Sequence, residues 1–218
     1  MTEKDVHHEE IEQVKAFLSN NGRTLMAVVL LASVVAGVTI LYRGHTKAVQ
    51  SEVSALFYSA QTADDLQAIA DNYPSSPFSA MALLKLAKMY YDQRDYGVAI
   101  NKYSDFMLRF PNHEFVTAAV LGEAHCLEEM NETSQALDAY SRFIEKNKDH
   151  FLAPQAFDGK ARCLKSLGKT DEARIVYENF IVSHPESKWI QFMEERLDRI
   201  KQDLENKITA GDKGETSS

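Results

Sequence analysis

Alanines, tyrosines and phenylalanines recur at one fixed spacing through most of this chain. Ala82, Ala119 and Ala156 are 37 residues apart, as are Ala87, Ala124 and Ala161, and Ala99, Ala136 and Ala173. Tyr103, Tyr140 and Tyr177 keep the same register, and so do Phe106, Phe143 and Phe180. Leu83, Val120 and Phe157 add a mixed apolar column. Five identical columns at one spacing define an internal repeat, and a period of this length means an array of supersecondary units. Each unit reads as two amphipathic helices, A and B. In the first, A covers residues 78–93 and B covers 96–110. Ser76 and Pro77 supply an N-cap and an N1 proline for helix A. Pro111 and Pro185 stop helix B in the first and third units. The alanine columns belong where the two helices cross, because larger side chains there would hold the axes apart. The expected fold is all-α, a solenoid of helix pairs.

Low Pro and Gly (5 and 9 residues) suit such helices. Two cysteines are too few for a disulfide framework. With 24 Lys+Arg against 32 Asp+Glu, the net charge of -8 argues against a general nucleic-acid binder. Composition does not exclude an anchor, and Leu25 to Tyr42 provides one: an uncharged run bracketed by Arg23 and Arg43. Eighteen residues rise roughly 27 Å as a helix, close to the bilayer hydrocarbon thickness. A cleaved signal peptide is the competing reading, but the preceding segment is too long and too acidic for an n-region. One uncleaved span over residues 23–44 is therefore expected. Lys4, Lys15 and Arg23 before it outnumber Arg43 and Lys47 after it, which favours a cytoplasmic N-terminus. Residues 1–22 carry a helical stripe of Ile11, Val14, Phe17 and Leu18, a cytoplasmic amphipathic segment.

Small residues, aromatics and prolines at these offsets resemble the tetratricopeptide repeat. The positions are Ala87, Tyr90, Ala99, Tyr103 and Pro111, then Ala124, Ala136 and Tyr140, then Ala161, Ala173, Tyr177 and Pro185. The departures are a period longer than the usual 34, Lys148 in place of a proline, and Leu127 and Leu164 in place of Tyr90. Full repeats are expected near 77–113, 114–150 and 151–187 within a domain spanning 46–206. A degenerate unit at 46–76 precedes them, with Thr62 and Asp65 as a capping pair. The stripe Trp189, Ile190, Met193, Leu197, Ile200 and Leu204 marks a terminal capping helix at 187–206. Residues 207–218 read as a disordered tail.

Reactive chemistry is not legible. Gly168-Lys169-Thr170 ends like a phosphate loop, but the earlier glycine is replaced by Cys163, and the register makes Gly168 and its equivalent Asn131 helix C-caps. Cys126 and Cys163 share a column with Met89 and read as buried apolar fillers. His7 and His8 lack the spacing of a metal site, and His113 and His150 repeat in connecting loops, where they read as solvated. The acid pairs Asp64-Asp65, Glu128-Glu129 and Glu194-Glu195 read as outer-face residues without a nucleophile beside them. The chain is expected to be no enzyme, with no cofactor and no metal.

A solenoid of this kind offers a concave surface lined by helix A, suited to peptides or proteins. By register the inward-facing residues are Met81, Leu84, Lys88 and Tyr91, then Leu121, His125 and Glu128, then Asp158, Arg162 and Lys165. The repeats that clamp chaperone C-terminal carboxylates use paired asparagines and lysines there, which Lys88, His125 and Arg162 do not match. The segment Glu10-Ile11-Glu12-Gln13-Val14-Lys15-Ala16-Phe17-Leu18, then Asn21-Gly22 and the span, resembles the bacterial ancillary subunit of the Sec translocon. That resemblance implies a single-pass inner-membrane protein with a periplasmic repeat domain, working with translocon subunits, periplasmic chaperones or secreted clients. The repeats themselves also resemble those of outer-membrane assembly lipoproteins and a periplasmic cell-division coordinator, which implies an envelope scaffold as the alternative. A eukaryotic organelle-anchored adaptor is a third reading.

Overall fold

A computed structural model describes residues 3–215, with side-chain detail at Lys15, 22–24 and 26–207. Nine α-helices and no strands are present among the described residues. The chain divides between Ala55 and Leu56 into two units. The first is the body of a single uninterrupted helix, α1 (Glu3–Ser59). The amphipathic segment, the apolar run and the residues after it therefore form one helix without a break. Within it, Gly22–Ser59 is long and apolar enough to cross a membrane, with a mean hydropathy of 2.5 in its most apolar window and none of that window covered. Ser33 and Thr39 return their hydroxyls to the carbonyls of Val29 and Val35, so neither leaves a bare donor on the apolar stretch. The side chains of His7, His8, Ile11, Val14, Phe17 and Leu18 lie outside the described ones.

The second unit holds α2 (Ala63–Asn72), α3 (Pro77–Asp92), α4 (Tyr96–Arg109), α5 (Val116–Glu129), α6 (Thr133–Asn147), α7 (Ala153–Ser166), α8 (Thr170–Ser183) and α9 (Ile190–Glu215). Each helix from α2 onward packs on the next, and α5 also touches α7. The A helices are α3, α5 and α7, and the B helices α4, α6 and α8; α9 continues the A series. Local signals set the ends. Thr62 and Asp65 close a reciprocal capping box on α2, and Ser76 caps α3 with Pro77 in the first turn. Each A-to-B turn passes through a positive φ, at Arg94 (64°), Asn131 (61°) and Gly168 (78°). This is the left-handed C′ position that ends a helix, and only Gly168 adopts it without a Cβ penalty.

Every alanine in the three all-alanine columns is at most 1% exposed, and Phe106, Phe143 and Phe180 are equally buried. Tyr140 and Tyr177 are at most 2% exposed and Tyr103 is 9% exposed, so all five identical columns form the core. Met193, Leu197 and Ile200 close the far end by packing on Tyr177 and Phe180. Two expectations need correction. Residues 207–215 are helical, because α9 runs to Glu215 with no proline to stop it, and residues 216–218 lie outside the described ones. His113 and His150 are half-buried rather than solvated: their Nδ1 atoms each accept the backbone N–H two residues on, at 3.2 Å, and cap α5 and α7 from outside.

Candidate protein-binding groove

The A helices bring the register-selected side chains along one face, in two chemically different halves. At the α3 end the face is apolar and aromatic. Met81 is 36% exposed, Leu84 and Tyr91 are half-buried, and the Tyr91 ring meets Tyr96 edge-on at 5.3 Å. Lys88 is exposed, pairs with Asp92 one turn on, and stands 6.0 Å from the Tyr91 ring centre. Tyr96 donates its hydroxyl to Glu129 at 3.2 Å, which ties the first pair of helices to the second.

From α5 onward the same face becomes an ionic network. Arg162 donates from Nε and Nη2 to the two oxygens of Glu128, both at 2.7 Å, a bidentate pair joining α7 to α5. Its Nη1 donates to Asp158 within α7. Tyr140 donates to Glu128 at 2.6 Å and Tyr177 donates to Asp158 at 2.7 Å. Burial works to raise the Glu128 pKa, but the hydrogen bonds from Arg162 and Tyr140 together outweigh it and hold the carboxyl below its ordinary value. The Glu128 hydrogen bond in turn holds Arg162 firmly protonated. Burial, then the charge of Arg162, pushes His125 down, so its ring stays neutral where it leans on Tyr140 at 5.7 Å. Burial and the neighbouring carboxylates push the Tyr140 and Tyr177 hydroxyls far up, so they act as donors.

Two of the selected residues stand differently from their register. Leu121 is 3% exposed and belongs to the core with Tyr140, Phe143 and the α7 alanines Ala153 and Ala156. The following repeat covers it, which helical register on its own does not reveal. Asp158 is 6% exposed and works as a buried acceptor, not as an open groove residue. Glu128 is no outer-face acid, since it anchors the network. Lys165 is exposed and pairs with Asp203 of α9 at 2.6 Å.

Sequence reasoning missed a pairing that sets the groove floor. Gly122 and Gly159 are 37 apart and face the tyrosine of the preceding B helix. A Cβ on Gly122 would lie 2.5 Å from Tyr103 Cζ, and one on Gly159 would lie 2.4 Å from Tyr140 Cζ. The tyrosines thus reach the groove only because a glycine on the next A helix makes room. Two glycines at the repeat spacing inside helices, where glycine is disfavoured, were the available signal.

Neither cysteine joins this network. Both are free and buried, and burial pushes the Cys126 thiol up to about 12 and Cys163 up to about 11. A thiol so protonated is a poor nucleophile. Iodoacetamide at pH 8 is expected to leave both unlabelled in the native protein and to label both in denaturant. Rapid native labelling would show that the repeats open locally.

The model of the tetratricopeptide repeat-like domain matches residues 15–202. The chain belongs to that family, whose domains mediate protein–protein interactions. Among solved structures, nearly identical TPR-like repeats from Podosopora anserina share 12% identity with a TM-score of 0.56, covering 77% of this chain and 90% of that one. A tetratricopeptide repeat protein from Parabacteroides merdae shares 14% identity with a TM-score of 0.52, covering 76% of this chain and 60% of that one. These likenesses concern the fold. No curated protein matches the sequence.

Proposed function

We propose that this chain is a membrane-anchored adaptor, with α1 spanning a bacterial inner membrane and the repeat domain holding protein partners in the periplasm. The observation that carries the reading is the union, in one chain, of a bare apolar helix with a repeat domain that exposes an aromatic groove. Large apolar side chains from Met26 to Tyr42 are 57–75% exposed, a stretch that water does not tolerate and lipid does. The resemblance to the ancillary Sec translocon subunit supports a place beside the translocon, with folding factors or secreted clients as partners. The Lys/Arg bias supports a cytoplasmic N-terminus.

A photo-crosslinking amino acid at Tyr91 in the membrane-embedded protein tests the groove and the partner class together. Adducts with translocon subunits or periplasmic chaperones are expected. Tyr91→Ala with Met81→Ser is expected to lower partner recovery about tenfold, roughly 1.4 kcal/mol, while the melting temperature hardly changes. Leu121 is left intact, because truncating a core leucine would confound binding with folding. Adducts with cell-wall or outer-membrane machinery alone would move the reading to an envelope scaffold. Reporter fusions after residue 60 that are active only in the cytoplasm would overturn the topology.

A further inference from the structure

The connection between α6 and α7 breaks the repeat pattern twice within four residues. Lys148 stands where Pro111 and Pro185 follow the other B helices, and Phe151 stands where the neighbouring repeats carry Glu114 and Lys188. Neither departure serves the packing. The Phe151 ring is 76% exposed and meets the His150 ring at 4.4 Å. A charged residue fills its place in both adjoining repeats, so the stack does not require an aromatic there. Val182, in the last turn of α8, is equally bare, where α6 carries Glu145.

Lys148 and Phe151 line a cavity of about 280 Å³ together with Lys188 and Trp189 of the α8–α9 connection, and Phe180 and His184 complete it. Lys148 and Lys188 make no ion pair or hydrogen bond through their ammonium groups among the described residues, and the Trp189 indole N–H has no acceptor there either. The one carboxylate in the lining, Asp149, stands 3.9 Å from His184 Nε2. Two ammonium groups against one carboxylate leave this edge positive. A bare aromatic ring, a half-buried indole and two uncommitted ammonium groups match the layered polarity of a bilayer surface, where aromatic rings sit at headgroup level and lysines meet phosphate.

We propose that this edge docks on the anionic lipid surface of the membrane that α1 spans, with Phe151 and Trp189 entering the headgroup layer and Lys148 and Lys188 meeting lipid phosphates. It rests on the reading of α1 as a membrane anchor and adds a second, reversible contact with the bilayer. From Tyr42 to Leu56, where the second unit begins, α1 continues for fourteen residues, a rise of about 21 Å. So short a tether holds lipid at a high effective concentration for the repeat domain, an advantage that no soluble partner has. The whole chain carries a charge of -8, so general attraction does not draw it to an anionic surface and the contact depends on this edge.

The test uses the full chain reconstituted in phosphatidylcholine vesicles, with and without about one quarter phosphatidylglycerol. Trp189 is the chain's only tryptophan, so its fluorescence reports this edge alone. A lipid spin-labelled near the headgroup is expected to quench Trp189 by half or more in the anionic vesicles, and clearly less in neutral vesicles or in high salt. Phe151→Ser, and Lys148→Gln with Lys188→Gln, should each remove most of the quenching that depends on anionic lipid. The melting temperature should hardly move, because all three side chains are exposed. Trp189 that stays unquenched in the anionic vesicles, or quenching indifferent to phosphatidylglycerol or to these substitutions, would overturn the docking. So would a photo-crosslinking amino acid at Phe151 that captures protein and no lipid in native membranes, which would make this edge a protein-docking site. Release of the chain from vesicles by alkaline carbonate would overturn the anchored reading, and this proposal with it. Quenching that fails while the chain stays embedded overturns the docking alone, so the two failures are distinguishable.

Discussion

Gly159→Ala is expected to destabilise the repeat domain by about 3 kcal/mol, the reverse of what helix propensity predicts. In an open helix this change gains about 1 kcal/mol. Here the new methyl would stand 2.4 Å from Tyr140 Cζ, well inside contact distance, so the ring has to move. It has nowhere to go: Tyr140 is fully buried and its hydroxyl is held by Glu128 at 2.6 Å. Overpacking costs about 1–3 kcal/mol, and displacing a hydrogen bond to a charged acceptor costs about 1.5–3 more. For a domain of this size about 3 kcal/mol lowers the melting temperature by about 6–12 °C. Gly122→Ala should cost less, because Tyr103 is 9% exposed and its ring has room to give. Circular-dichroism melts of Gly159→Ala, Tyr140→Leu and the double variant form the decisive cycle. The double variant should lose less than the sum of the singles. Additivity within about 0.5 kcal/mol would mean the two residues do not compete for space.

The fold was open to sequence reasoning because its information repeats. Ala99 alone says little, but Ala99, Ala136 and Ala173 in step with Tyr103, Tyr140 and Tyr177 state both the helix pair and its crossing point. The capping box at Thr62 and Asp65 was equally direct, since it depends on residues three apart. Depth was harder. Register places Leu121 on the groove face, yet α7 covers it, and a column gives direction without telling what the next repeat brings over it. The groove network was half legible: Glu128, Asp158 and Arg162 were selected, but the count stopped at three repeats and so missed Arg196, which reaches Asp158 at 3.5 Å. The Tyr–Gly fit escaped for another reason. It joins two columns on different helices, and no single periodicity displays a pair.

Removing the charge of Arg162 should expose how far the groove depends on it. Arg162→Met keeps much of the stem and is expected to cost about 3 kcal/mol at pH 7, near the low end for breaking a buried pair because the Arg162 side chain is 40% exposed. What is left behind is the larger problem. The Glu128 side chain, 21% exposed, keeps only the Tyr140 hydroxyl, and the buried Asp158 keeps Tyr177 and a distant Arg196. The sign of the pH dependence follows from Glu128. In the wild type its folded pKa lies below the unfolded value, so the pair stabilises above the ordinary carboxylate range, about 4.3, and that stability is lost as pH falls through the folded value. In the variant burial acts unopposed by the guanidinium, so the folded state takes up its proton earlier and is relieved by acid. Both movements close the gap between the two melting curves. The difference in stability is therefore expected to shrink as pH is lowered from 7 to 3, while Arg142→Met, at an exposed pair with Asp138, shows no comparable change. A difference that stays constant across that range would mean Arg162 contributes packing alone, and the ionic network would then be no determinant of the groove's shape.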